Sequence, residues 1–149
     1  MIDSGDFESL YRRYRDWVAG LAMRFCRNHD DAMDVLQETF LYLHKKLPEL
    51  KLRAQMKTFL YPAVKHLSLR RREKRLASLD FEPTARPASD DDIEGMIGDL
   101  PNEQREVVLM RFADGLALQE IADALEVPLG TVKSRLHTAL NVLRERKKW

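Results

Sequence analysis

Near the C-terminal end of this chain, Thr131, Ser134, Arg135, Thr138 and Asn141 recur at helical spacing with Lys133 beside them. At about 100° per residue the first five gather on one side of a helix. Hydroxyl, amide and guanidinium groups of this kind hydrogen-bond base edges and phosphate oxygens, and Arg is the usual partner of guanine. Val132, Leu136, Ala139, Leu140 and Leu143 form an apolar stripe that the same helix must bury. Arg144, Arg146, Lys147 and Lys148 follow, where cations suit both a phosphate backbone and the helix C-terminal dipole. The bland alternative is a solvated helix face with a basic tail. What weighs against it is the preceding segment 118–127, a short amphipathic helix pattern broken by Pro128-Leu129-Gly130. Two helices joined by a tight turn, with residues 131–146 as the second, form a helix-turn-helix whose second helix enters the DNA major groove.

A second constellation lies in the first half. Asp34, Gln37, Glu38 and Leu41 share one face of a helix whose core stripe is Met33, Leu36, Phe40, Leu43 and Leu47. An acidic and polar ridge with one apolar member suits a basic helical partner; the alternative is an ordinary solvated face. Nothing here resembles catalysis: there is no phosphate-binding Gly-rich loop, no nucleophile elbow and no paired catalytic carboxylates. His29, His44 and His137 lack partners at metal-ligand spacing, so neither a metal nor a cofactor is expected. Cys26 is the one cysteine, which excludes an intrachain disulfide and fits a reducing cytoplasm.

The elements that position these residues are helices throughout, and the expected fold class is all-α. Phe7, Leu10, Tyr14, Val18, Leu21 and Phe25 recur at helical spacing over residues 6–27, Asn28-His29 makes a turn, and Asp30 is placed to cap a helix running to about residue 47. Pro48 ends that helix, a polar loop covers 49–55, and a further helix runs from Met56 to about residue 75 with the basic end Arg70-Arg71-Arg72-Glu73-Lys74-Arg75. Pro62 inside that pattern removes a backbone hydrogen bond at a cost of ~3 kcal/mol, which predicts a kink or a delayed helix start near Tyr61. Residues 93–98 read as a short helix, Pro101 opens the next, and Gly115 stops it after Ala113.

The net charge of +1 conceals a segregation. Residues 1–75 carry sixteen Lys/Arg against ten Asp/Glu, residues 76–100 one against seven, and the segment from Pro128 onward six against one. Two basic bodies are thus separated by an acidic stretch, and residues 77–92, with Pro83, Pro87 and Asp90-Asp91-Asp92, read as a flexible acidic linker. The expected organisation is two small helical domains, 1–76 and 93–149, joined by the linker 77–92. No apolar run approaches the roughly 20 residues that span a bilayer, and no basic n-region of a secretory signal is present, so no membrane insertion is expected.

Asp31, Ala32, Asp34, Gln37, Glu38 and Phe40 resemble region 2.2 of bacterial extracytoplasmic-function sigma factors. Leu100, Pro101, Arg105 and Val107 are similar to the family's region 4.1. Ile121-Ala122 followed by Pro128, Gly130, Thr131, Val132, Lys133, Ser134, Arg135 and Leu136 is similar to its region 4.2. The resemblance covers nearly the whole chain in the family's order. It implies a cytoplasmic alternative sigma factor, not an enzyme. The first domain would bind core RNA polymerase at the β′ clamp helices through Asp34, Gln37, Glu38 and Leu41. It would also capture and melt the −10 element, for which Lys51, Arg53, Phe59, Tyr61, Lys65, His66 and Arg70 supply cations and unstacking side chains. The second would meet the β flap and read −35 promoter DNA through Thr131, Lys133, Ser134, Arg135, Thr138 and Asn141. An anti-sigma factor is the implied regulator. Departures are His66 where the family has Asn, Arg70 where it has Asp, and Ala117 in place of a capping Ser or Thr, which weakens that cap by ~1 kcal/mol.

Two other readings stay open on the residues alone. One is a DNA-binding regulator acting by itself, whose first half dimerises or senses a ligand. The other is a sigma-like chain that binds polymerase without opening promoters. If Arg135 reads a base, Arg135→Ala lowers promoter-specific binding by ~1–3 kcal/mol, while Lys147→Ala weakens binding uniformly and lowers its salt dependence. Binding measured on promoter and random DNA checks this; equal losses on both for Arg135→Ala would remove the base-readout assignment.

Overall fold

The computed structural model describes residues 4–49, 56–78 and 97–146. Among these there is no strand, and no helix is long and apolar enough to cross a membrane. The chain divides into two compact units, Met1–Arg86 and Pro87–Trp149. Beyond Ser78, the expected linker lies outside the described residues, as do most of the loop expected at 49–55 and the start of the helix expected at 93.

In the first unit α1 (Ser4–Cys26), α2 (His29–Lys46) and α3 (Met56–Ala77) pack pairwise against one another. A 3-10 turn over Leu47–Glu49 follows α2. The core takes Val18, Leu21, Ala22 and Cys26 from α1, Ala32, Val35, Leu36, Phe40 and Leu43 from α2, and Leu60, Tyr61 and Val64 from α3. Of the expected α2 stripe, Met33 is only half-buried, because Ala32, Val35 and Thr39 turn inward to meet the two neighbouring helices. Aromatic rings close the end beside α1: Tyr11 packs edge-on to Phe40 with centroids 4.8 Å apart, and Phe7 does the same to His44 at 5.0 Å. Burial pushes the Cys26 thiol above its ordinary pKa, so it remains a protonated core group.

Local chemistry sets the ends. Arg27 adopts φ 52°, the left-handed conformation that turns the chain out of α1. The cap of α2 is Asn28, not Asp30 as expected: with extended backbone its side chain accepts the Asp31 N–H at 2.9 Å. Asp30 and Asp31 fall in the first turn, and His44, Lys45 and Lys46 in the last, as the helix dipole favours. The delayed start expected at Pro62 does not occur, since α3 begins at Met56 and carries the proline within it. Leu60, Tyr61 and Val64 are each at most 1% exposed. Burying three such side chains is worth ~1.5–3 kcal/mol each, which exceeds the ~3 kcal/mol that an interior proline costs.

In the second unit Pro101 is the N-cap of α4 (Asn102–Val108), which passes into one π-helical turn over Leu109–Ala113. Gly115 with φ 71° stops it, and the Leu116 N–H reaches back to the Met110 carbonyl at 3.0 Å. Two further helices follow, α5 (Leu118–Leu125) and α6 (Leu129–Arg146), both packed together, with α4 also against α6. Their core includes Ile97, Leu100, Val108, Leu109, Ile121, Val132 and Ala139. The α6 helix starts two residues before the expected Thr131. The Pro128 carbonyl accepts from Thr131 at 3.0 Å and Val132 at 3.3 Å, and Gly130 sits in a first turn, where backbone N–H groups need no helical partner.

Asn28→Ala removes the α2 cap and is expected to cost ~1 kcal/mol, with Asn28→Asp close to wild type. Thermal unfolding checks this, and an unchanged melting temperature for the alanine variant would mean the cap is supplied by other groups.

Candidate nucleic-acid interface

The turn between α5 and α6 is built by Glu126, whose left-handed backbone (φ 57°, ψ 45°) ends α5 while the Val127 N–H returns to the Ala122 carbonyl at 3.1 Å. At the other end of α5 the cap is half present. Ala117 has no side-chain acceptor, but the Glu120 carboxylate accepts the Ala117 N–H at 2.8 Å.

With Val132 and Ala139 buried, α6 turns Lys133, Ser134, His137, Thr138, Asn141 and Arg144 to solvent. Of the expected set, Lys133, Ser134, Thr138 and Asn141 therefore share one exposed face. Thr131 and Arg135 are half-buried at its edge, and the Arg135 guanidinium lies 3.6 Å from the Glu103 carboxylate on α4. His137 was missed: its ring nitrogen is 3.2 Å from the Asn141 amide, and its position between Ser134 and Asn141 at helical spacing was the signal.

The ridge of α2 is assembled as expected. Asp34, Gln37 and Leu41 are exposed, Leu41 at 70%, and Glu38 is half-buried. Sequence reasoning did not anticipate its partner. Arg71 of α3 donates to Asp34 at 3.0 Å and to Glu38, and Arg75 donates to Asp31. The Glu38 hydrogen bond holds the Arg71 guanidinium above its ordinary pKa. Beside this cluster a cavity of about 290 Å³ is lined by Glu38, Leu67, Arg70, Arg71 and Lys74.

The residues expected at −10 DNA separate. Lys51 and Arg53 lie outside the described residues. Phe59, His66 and Arg70 share a stripe of α3, with His66 and Arg70 exposed; Lys65 lies half-buried on another side. Tyr61 is a correction: it is 1% exposed and packs edge-on against Phe25 at 6.1 Å, because Leu60, Tyr61 and Val64 face the core together. The exposed ring next to Phe59 is instead Tyr42, stacked on it at 5.7 Å with planes 3° apart and with the Lys46 ammonium 5.9 Å from its centroid. Its place beside Leu41, off the α2 core stripe, was the available signal. Among the described residues no His, Cys, Asp or Glu cluster could hold a metal ion.

Two family models match in chain order, Sigma-70 region 2 over residues 10–76 and Sigma-70 region 4 over residues 90–143. The chain belongs to the extracytoplasmic-function sigma factors. Similar sigma factors include SigW of Bacillus subtilis, 26% identical over 96% of this chain and 89% of that protein. The sigma-H factor of Pseudomonas aeruginosa is 29% identical over 92% of this chain and 83% of that one. In fold, the chain is similar to the sigma factor RpoE solved with the anti-sigma factor NepR from Bartonella quintana, with TM-score 0.72, 24% identity, and coverage of 94% and 95%. It is similar also to CnrH solved with the cytosolic domain of CnrY, with TM-score 0.70, 21% identity, and coverage of 96% and 88%. A sigma factor is an initiation factor rather than an enzyme. The α6 helix of this chain falls inside the matched region 4 as far as Leu143, and the Asp34–Leu41 ridge inside the matched region 2.

Because half of the α5 capping box already stands, Ala117→Ser supplies the missing half and is expected to raise stability by ~1 kcal/mol. Thermal unfolding of the full chain checks this; a lowered melting temperature would show that Ala117 is held by packing that a hydroxyl disrupts.

Proposed function

We propose that this sigma factor divides its work between the two units. The first docks on core RNA polymerase through Asp34, Gln37, Glu38 and Leu41, and engages the −10 element from the α3 stripe of Phe59, His66 and Arg70, with Lys65, and with Lys51 and Arg53, which precede α3 in the sequence. The second anchors at −35 through the exposed face of α6, with Lys133, Ser134, Thr138 and Asn141 at its centre. Thr131 and Arg135 act from its edge, Arg135 exchanging Glu103 for DNA. Both the polymerase and the promoter place its action in the cytoplasm. Its regulator is an anti-sigma factor, as the partners named with RpoE and CnrH suggest.

The observation that supports this reading best is the ridge itself. A regulator acting alone on DNA has no use for Leu41, 70% exposed, set beside two half-paired carboxylates. A basic helical partner uses all three. For −10 capture the support is physical: exposed cations beside stacked, partly exposed rings form a surface that holds unpaired bases.

The test is transcription in vitro with bacterial core RNA polymerase and a genomic fragment library, followed by sequencing of the transcripts. Discrete start sites sharing two upstream elements are expected. Asp34→Ala with Glu38→Ala is expected to weaken core binding roughly 10–100-fold, by loss of charge-assisted contacts, while leaving binding to −35 DNA unchanged. Undiminished core binding by that pair would remove the docking assignment, and core binding without initiation would direct attention to Pro62 and His66.

A further inference from the structure

Asp31, Asp34 and Glu38 stand at i, i+3 and i+7 on α2, so three like charges line one helix stripe and repel one another. Such carboxylates, left alone, would spread over several rotamers, and a partner would have to order them on binding. Arg71 changes this from the neighbouring helix. Its Nη1 lies 3.0 Å from Asp34 Oδ2 and 3.9 Å from Asp31 Oδ1, and its Nη2 donates to Glu38 Oε1. One planar guanidinium thus spans consecutive turns of α2, a geometry that its fork of fixed donors meets pre-organised, where a Lys ammonium on its flexible stem would not be.

The three acids divide by burial. The Asp31 side chain is 9% exposed and is taken by Arg75, which makes it part of the helix packing. Asp34 and Glu38 remain 52% and 42% exposed, and Arg71 engages one oxygen of each. A carboxylate offers about four lone-pair sites, so both keep acceptor capacity beyond the Arg71 contact.

Resting on the docking assignment above, we propose that Arg71 is the positioning residue of the polymerase-docking ridge. It fixes the rotamers of Asp34 and Glu38 and offsets their mutual repulsion, so that a basic helix meets two ordered carboxylates. Arg71 therefore serves protein docking, although it sits in the run Arg70-Arg71-Arg72 whose composition alone suggests DNA.

The experiment measures core-polymerase affinity of the full chain carrying Arg71→Ala, Arg71→Lys, Glu38→Gln, Asp34→Asn, and Arg71→Ala combined with Glu38→Gln, with circular dichroism confirming the helical fold of each. Arg71→Ala is expected to weaken core binding about tenfold, and the double variant to lose much less than the product of the two singles, because Arg71 acts through Glu38. Arg71→Lys is expected to recover part of the loss, since an ammonium keeps the charge but lacks the planar fork that holds both carboxylates in one fixed geometry. Unchanged or tighter binding by Arg71→Ala would overturn the proposal, tighter binding meaning that Arg71 masks the ridge; so would fully multiplicative losses in the double variant. If Arg71→Ala does not fold, the comparison of Arg71→Lys with wild type decides, equal affinity overturning the proposal and a severalfold loss supporting it. Failure of the docking reading itself is distinct: Glu38→Gln and Asp34→Asn would then both bind core polymerase as wild type does.

Discussion

Burial of one stripe per helix is the constraint from which every surface of this protein follows. Val35 and Leu43 of α2 and Leu60 and Val64 of α3 are wholly buried, and side chains on a helix are rigidly related through 3.6 residues per turn. Once those four point inward, Asp34, Gln37 and Leu41 have no choice but to point out, and Arg71 comes to lie against α2. The same holds in the second unit, where buried Val132 and Ala139 set the outward direction of Ser134, Thr138 and Asn141. The exposed faces of both units are the backs of helices whose fronts form the core.

Charge refines what burial positions. The acids of α2 are close enough to repel, and the two arginines of α3 that reach them offset that repulsion. An exposed ion pair contributes little to stability, with a median near 0–1 kcal/mol. The consequence of the Arg71 cluster therefore lies chiefly in geometry, in which rotamers the carboxylates occupy. Asp31 differs: at 9% exposure it needs its cation, and loss of Arg75 would leave a nearly buried charge poorly compensated. Arg135 and Glu103 illustrate the weaker kind of pair, 3.6 Å apart with the carboxylate 74% exposed to screening solvent.

Much of this was legible beforehand because helical periodicity survives averaging over many residues. The all-α class, the stops at Gly115 and Pro128 and the outward direction of the α2 ridge each rest on several residues that agree. Expectations resting on one residue fared differently. Asn28 rather than Asp30 caps α2, since whichever side chain first meets the free N–H groups takes them. Pro62 does not delay α3, because three buried neighbours outweigh its lost hydrogen bond. Tyr61 turned to the core and Tyr42 to the surface, a difference set by which helices pack on either side.

By itself, then, the sequence determined the helices, their apolar stripes, the charge segregation and the motif order that places the chain among sigma factors, since all of these are properties of local spacing. It could not determine which cation meets which anion. Arg70, Arg71 and Arg72 are chemically identical neighbours, and only the packing of α3 on α2 sends Arg71 to Asp34 and Glu38 while Arg70 faces the adjoining cavity. Those partners are 37 and 33 residues away along the chain, a separation at which local spacing carries no information and only the tertiary contact decides.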